Sequence, residues 1–303
     1  MATAQATLAK PKPAPARAAA PREDRNSWVG YLLILPPVLI MLALIFYPAA
    51  KAIIDTVYLT DPKTGVDGFT LQSYISFFQN PNQVQNLRFT LLETLWTVGL
   101  LFVVGFPLAL YLRFSQSRMA AVVQTLTLFP LFVPGVILAF AFIQFLTTHG
   151  MFDTMLNLFG ITGFRTPYLQ PQGIVMALVW EGIPFTVLVL TAGLRQVENS
   201  VVESARDVGA NGFQIFWNIL LPLSLRSVVI VFCLNVIGVF GAFTIPYLLG
   251  GAAPMMMGVS MQQTFGNFQD RVGALTQAVI TFLFCAVVGV LYIRTVSRRQ
   301  ERS

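Results

Sequence analysis

Two carboxylates stand where charge is scarce. Glu93 and Glu181 lie in, or at the edge of, long runs of apolar residues. If the run around Glu181 is a helix beginning near residue 173, its carboxyl is about eight residues in, or ~12 Å deep. A charge at the centre of a membrane helix costs roughly 2.5–3.5 kcal/mol on insertion scales. Such a group therefore either lines a polar path or is held by a proton or a hydrogen bond in helix packing. Glu93 sits nearer the end of its run, where helix packing is the simpler role. Asn235, in another apolar run, has the chemistry to bond a solute or to link two helices. Glu181 and Asn235 are thus the candidates for a solute path.

Other kinds of chemistry find little support. The single His149 cannot make a metal site alone, and there is no H-E-x-x-H. Cys233 and Cys285 are embedded in apolar runs and read as small buried hydrophobes, with neither a disulfide framework nor metal-ligand spacing. Met255, Met256 and Met257 offer soft sulfur, but three adjacent thioethers fit a flexible apolar loop contact better. No G-x-x-x-x-G-K-[ST] loop is present, so no phosphate cradle is expected. The reading is of a chain that is not an enzyme and binds no cofactor or metal itself. An intramembrane enzyme is the distant alternative. A secondary transporter, driven by an ion gradient, is the closer one. That class often shows internal repeats and paired intramembrane charges, and neither is evident.

The elements that must position these residues are membrane helices. Of 303 residues, 55% are hydrophobic and 11% charged, against about 25% charged in soluble domains. Lipid is the natural solvent for that excess, and an all-α fold with six transmembrane helices is expected. Spans are placed near 29–48, 94–112, 120–146, 173–193, 219–243 and 272–293. Residues 49–90 read as a polar connection with turn signals at Asp61-Pro62 and Asn80-Pro81. Pro130, Pro134 and Gly135 fall inside the third span, where neighbouring helices can re-satisfy the freed backbone groups. Residues 246–270 contain the breakers Gly250, Gly251 and Pro254 and read as a loop dipping toward the membrane.

Residues 1–27 are rich in Ala, Pro and Lys/Arg and read as a disordered basic tail. The membrane domain covers 28–296, and 297–303 form a second basic tail. The first apolar run starts at Trp28 and reads as a retained helix rather than a cleaved signal. The net charge of +6 matters through its distribution. With six spans, one side carries 14 Lys and Arg and the other 5. This bias puts both termini in the cytoplasm and makes lipid, not nucleic acid, the partner of the basic residues.

The same count makes the segment after the fourth span cytoplasmic. Over 198–222 it reads Glu203-Ser204-Ala205, three residues, Gly209, nine residues, Ile219, one residue, Leu221-Pro222. Val201, Val202, Ala205 and Val208 recur at helical spacing, with Glu203, Arg206 and Asp207 toward water. Gly209 is placed to end that helix, since a residue without Cβ turns the chain at little steric cost. Ala210 to Asn218 could form a second short helix presenting Phe213, Phe216 and Trp217.

This spacing resembles the EAA loop of bacterial ABC importer permeases, E-A-A-x3-G-x9-I-x-L-P, with Ser204 where Ala is usual. Leu128-Phe-Pro-Leu-Phe-Val-Pro134 and Trp180-Glu-Gly-Ile-Pro-Phe185 also resemble that superfamily. Gly241-Ala-Phe-Thr-Ile-Pro-Tyr-Leu-Leu-Gly-Gly251 is similar to its branch for polyamines, ferric iron and related small solutes. The resemblance implies a type I importer permease fold and an inner-membrane permease subunit importing a small solute of polyamine type. It implies a cytoplasmic ABC ATPase dimer that uses the ATP, a second permease chain, and an extracytoplasmic solute-binding protein. It further implies that Glu203, Ser204, Ala205, Asp207, Gly209, Phe213, Ile219, Leu221 and Pro222 couple the chain to the ATPase, an L-shaped helix pair seated in a groove.

Overall fold

A computed structural model describes residues 27–60, 67–164 and 166–297; apart from Ser27 and Ser297, both basic tails lie outside them. The chain divides into two units, one ending at Lys51 and one beginning at Ala52. In the first unit, α1 (Ser27–Met41) runs through a wide π turn at Leu42–Phe46 into α2 (Tyr47–Val57), whose residues from Ala52 on belong to the second unit. Apolar side chains occur all round α1, which suits a helix facing lipid rather than water.

After the end of α2 the second unit continues with a short antiparallel pair, β1 (Tyr58–Thr60) and β2 (Asp67–Phe69), in which Tyr58 faces Phe69. Then come α3 (Gln72–Gln79), α4 (Pro81–Phe114), α5 (Arg118–Leu128), α6 (Gly135–Leu146), α7 (Met151–Leu158) and α8 (Pro171–Arg195). The remainder is α9 (Asn199–Asp207), α10 (Gly212–Ile215), α11 (Leu221–Phe240), α12 (Thr244–Leu249), α13 (Met257–Gly266) and α14 (Arg271–Ser297). Among the described residues, 6 helical stretches are long and apolar enough to cross a membrane: Tyr31–Val57, Pro81–Phe114, Gly135–Leu158, Pro171–Arg195, Gly212–Phe240 and Arg271–Ser297.

The number of spans agrees with the sequence, but several boundaries do not, and the first helical stretch, expected to end near residue 48, runs on to Val57. The second helix starts at Pro81, not near residue 94. Asn80 is its N-cap, its side chain accepting from the Asn82 N–H at 3.0 Å, and Pro81 takes the first position, where a missing N–H costs nothing. The expected third span, 120–146, is broken at Val133–Pro134, so α5 is a separate shorter helix and the spanning stretch is Gly135–Leu158. Pro134 has no N–H to continue the ladder, and the residue before it is pushed to extended backbone. The fifth helical run starts at Gly212, not near Ile219. Residues 246–270 make no further span, but they fold into α12 and α13 rather than an irregular loop.

In this unit α8 packs between α4 and α11, α11 also meets α14, and α12 lies against α6 and α8. Small residues let the backbones close up, as membrane helices require when lipid supplies no hydrophobic drive between them. A Cβ on Gly105 of α4 would lie 2.8 Å from the Thr186 side chain of α8, and one on Gly193 of α8 only 2.4 Å from Ser227 of α11. Two apolar clusters result. One joins Val98, Leu138, Leu146, Ile174, Leu178, Val236, Leu249 and Met256. The other joins Ala109, Val187, Leu190, Leu194, Val202, Ile215, Leu220 and Val231, and so reaches from the α4–α8 contact into the segment that carries the motif.

Candidate coupling segment and intramembrane carboxylates

Helix α9 holds one face inward and one outward. Val202 is buried and Ala205 half-buried against the cluster of Leu190 and Leu194. Glu203, Ser204 and Asp207 are exposed, and the Ser204 hydroxyl donates back to the Ser200 carbonyl at 2.8 Å. The four apolar residues expected to share one face are divided: Val201 is exposed and Val208 is 85% exposed, on the outer side.

The end of α9 is a Schellman turn. Gly209 has φ +86°, its N–H donates to the Arg206 carbonyl at 2.9 Å, and the Ala210 N–H donates to the Ala205 carbonyl at 3.0 Å. Glycine is required here by the left-handed backbone. Two residues later the chain starts again with a capping box. The Asn211 side chain accepts from the Gln214 N–H and the Gln214 side chain from the Asn211 N–H, each at 2.9 Å. The second short helix expected over 210–218 is therefore the first turns of a run that continues into α11.

That run is continuous because the π turn Phe216–Leu220 absorbs Pro222. A proline near the start of α11 lacks the N–H for an i→i−4 bond and crowds the carbonyl four residues back; a wide turn just before it relieves both. Ile219 and Leu221 are half-buried, Leu220 is buried and Pro222 is exposed. Outward from the elbow stand Phe213, 73% exposed, and Trp217, their rings 6.0 Å apart. Val208, Phe213 and Trp217 are thus exposed apolar side chains on the two sides of the elbow, and the acidic Glu203 and Asp207 are exposed on α9.

The segment is fastened to the spans by a residue that sequence reasoning counted only as an orienting charge. From the last turn of α4, Arg113 donates through Nε to the Leu194 carbonyl at 3.2 Å and through Nη2 to the Val197 carbonyl at 2.9 Å and to Asn199 Oδ1. On the fifth span, Arg226 likewise donates to the Val296 carbonyl at the end of α14, at 2.9 Å.

Glu181 is exposed on the surface of the single chain, beside the break in the third helix: a Cβ added to Gly135 would lie 3.4 Å from its Oε1. The neighbouring Trp180 packs edge-on to Phe129 and Phe142 and helps to line an apolar groove of about 790 Å³ with Val133 and Ile183. Asn235 is buried and donates to the Thr186 hydroxyl at 2.9 Å, which ties α11 to α8. Glu93 is only 4% exposed, and its Oε2 has no hydrogen-bond partner among the described residues. It continues a buried polar stripe on α4. Asn86 Oδ1 accepts from the Met255 N–H at 3.0 Å and Thr90 Oγ1 from the Met257 N–H at 2.8 Å. Met256 and Met257 are fully buried packing residues rather than a flexible loop contact. Sequence reasoning missed this stripe because Asn86 and Thr90 fell in the stretch 49–90 that read as a polar connection. Their spacing of three and four residues was the available signal.

Six apolar helical stretches long enough to cross a membrane, with a capped, outward-facing elbow between the fourth and the fifth, suit a transport permease. Residues 102–302 match the family described as binding-protein-dependent transport system inner membrane component, and the chain belongs to it. It is 28% identical to the sulfoquinovosyl glycerol permease SmoG of Agrobacterium fabrum over 282 residues, covering 88% of this chain and 90% of that protein. It is 26% identical to the spermidine/putrescine permease PotB of Haemophilus influenzae over 270 residues, with the same shares. To the sn-glycerol-3-phosphate permease UgpA of Pectobacterium atrosepticum it is 24% identical over 287 residues, 91% of this chain and 96% of that protein. The fold matches a chain of a bacterial alginate ABC transporter with TM-score 0.73 at 19% identity, covering 90% and 95% of the two chains. It matches a chain of the MetNI methionine ABC transporter with TM-score 0.55 at 19% identity, covering 70% and 94%. The chain is an ABC importer permease subunit, which removes the stand-alone secondary transporter as a reading.

Proposed function

We propose that this subunit forms part of the import path for a small cationic solute of polyamine type, with both termini in the cytoplasm. The observation that carries the solute class is the sign of charge inside the membrane. Across residues 89–112, 119–148, 166–194, 227–269 and 272–293, the stretches clear of the helix ends and of Arg226, which is bonded to the end of α14, the charged side chains are Glu93 and Glu181. A carboxylate beside a helix break suits an ammonium group, whereas the phosphate of glycerol phosphate or the sulfonate of a sulfoquinovosyl glycoside would call for a cation. Spermidine and putrescine, named for one group of relatives, fit that requirement. Asn235, spent on Thr186, holds the α8–α11 contact that carries Glu181.

The exposed Val208, Phe213 and Trp217, with the acidic Glu203 and Asp207 on α9, dock in a groove of a cytoplasmic ABC ATPase. Apolar anchors with a polar rim are what helix-in-groove recognition uses. The ATPase dimer turns over the ATP, and this chain binds no cofactor of its own. A second, homologous permease completes the path, and an extracytoplasmic binding protein delivers the solute.

The test is uptake into proteoliposomes holding the complete transporter and its binding protein. Labelled putrescine, glycerol 3-phosphate and a sulfoquinovosyl glycoside are offered in turn. Putrescine or spermidine uptake that falls with Glu181→Gln is expected. Uptake of an anionic solute, indifferent to Glu181→Gln, would overturn the assignment.

A further inference from the structure

We propose that Arg113 is the strut through which movement of the docked helix α9 reaches the second and fourth spans. The inference rests on the docking role proposed above for residues 198–222.

Three acceptors on three successive pieces of chain meet one guanidinium. Leu194 O belongs to the last turn of α8, Val197 O to the short link that follows, and Asn199 Oδ1 to the first residue of α9. The guanidinium itself comes from the last turn of α4. One side chain thus joins two spans and the docking helix at a single point.

The position is chemically apt. The last carbonyls of a helix lack partners within it, and the negative end of the helix dipole attracts a cation. Leu194 and Val197 are buried, so water competes little for their carbonyls. The planar fork of arginine reaches several acceptors in fixed directions, which a single ammonium cannot do. The Phe114 ring, 5.1 Å from the guanidinium carbon, backs that plane. All three acceptors are neutral, so what the contact fixes is geometry rather than an ion pair.

Helix α9 depends on this outside support at its start. Its N-cap, Glu198, makes no side-chain cap bond to the helix; its carboxylate accepts from the Ser200 hydroxyl instead. The middle of α9 is held by Val202 in the apolar cluster, and its end by the Schellman turn. Arg113 is the polar contact that fixes the near end to the spans. With it, a pull on α9 moves the ends of α8 and α4 as one body. Without it, α9 can pivot on residues 196–198 while α4 and α8 stay behind. These are the two helices that carry Glu93 and Glu181.

Arg113 is therefore a positioning residue, and its loss uncouples rather than undocks. The experiment uses the complete transporter in proteoliposomes, with Arg113→Met, Arg113→Lys and, as a control for lost charge on the same side, Arg118→Gln. Three quantities are read: ATPase retained on purification, ATP hydrolysed, and solute taken up per ATP. Arg113→Met is expected to keep the ATPase and its hydrolysis while uptake per ATP falls by roughly fivefold or more, the lower end of couplings between distinct sites. Arg113→Lys recovers part of the ratio, and Arg118→Gln leaves it unchanged. An unchanged ratio in Arg113→Met overturns the proposal, and so does a loss of ATPase in parallel with uptake, which would make the contact structural only. Failure of the docking reading shows elsewhere, as full ATPase retention in a Val208→Asp, Phe213→Asp double variant.

Discussion

The chain breaks its helices in two places that matter, and the breaks are built in different ways. At Gly209 the backbone groups are closed off: a Schellman turn ends α9, and a reciprocal capping box begins the next helix two residues on. At Val133–Pro134 only the first side is closed, by the Val133 N–H donating to the Pro130 carbonyl at 3.1 Å; the start of the next helix has no side-chain cap. The turn that ends at Phe132 leads through extended backbone to α6, whose N-cap is Pro134. Instead the Glu181 carboxylate stands beside Gly135, the first residue of α6. A fully capped break is a stiff elbow, suited to passing on force. An uncapped helix start facing a carboxylate leaves polar groups free for something else, which on the path proposed above is the solute or water.

The sharpest way to break this comparison is at the elbow. A Cβ at residue 209 would meet no atom within 4 Å, so a side chain there is opposed by the φ of +86° and not by a clash. Gly209→Val should therefore lose most uptake and most of the co-purifying ATPase, since a β-branched residue is a true outlier at positive φ. Gly209→Asn, which tolerates the left-handed region, should keep a substantial part of both. If Val and Asn behave alike, backbone geometry is not what the glycine supplies.

At the open break the chemistry, not the backbone, should decide. Glu181→Leu is expected to abolish most uptake with normal insertion and normal ATPase retention, and Glu181→Gln to lower it less. Normal transport by Glu181→Leu would remove the carboxylate from the path. The smallest effect belongs to the capping box. Asn211→Ala removes one reciprocal cap bond, worth about 1 kcal/mol, and should lower the thermal stability of the detergent-solubilised chain slightly while uptake stays near normal. A loss of uptake as large as that of Gly209→Val would mean that the two halves of the elbow are not separately capped.

Much of this was legible in the sequence because lipid leaves few choices. Charge-free runs of about 20 residues have to be helices, and their number came out right. The elbow was legible because the glycine and the Leu221-Pro222 pair fall at fixed spacing from Glu203. What misled was polarity. Asn80-Pro81 read as a turn, although a side-chain cap followed by proline is also how a helix begins. Asn82, Gln83, Gln85 and Asn86 read as loop. In the structure Asn86 and Thr90 face inward and hold the backbone at Met255 and Met257. Hydropathy does not separate a buried polar residue with a partner from an exposed one. The division of Val201 and Val208 from Val202 and Ala205 was also hidden, because periodicity gives the stripe but not which of its edges meets the spans. Arg113 was visible only as a charge; its three acceptors lie 81–86 residues away in the chain.

The central claim is that the elbow at Gly209 is where the ATPase sits. A photo-crosslinking phenylalanine analogue placed singly at Phe213 and at Phe268 tests it directly. Both side chains are 73% exposed, and they lie at opposite ends of the spans. The account predicts an adduct with the ATPase subunit from position 213 and none from position 268. No ATPase adduct at 213, or one at 268, would contradict it.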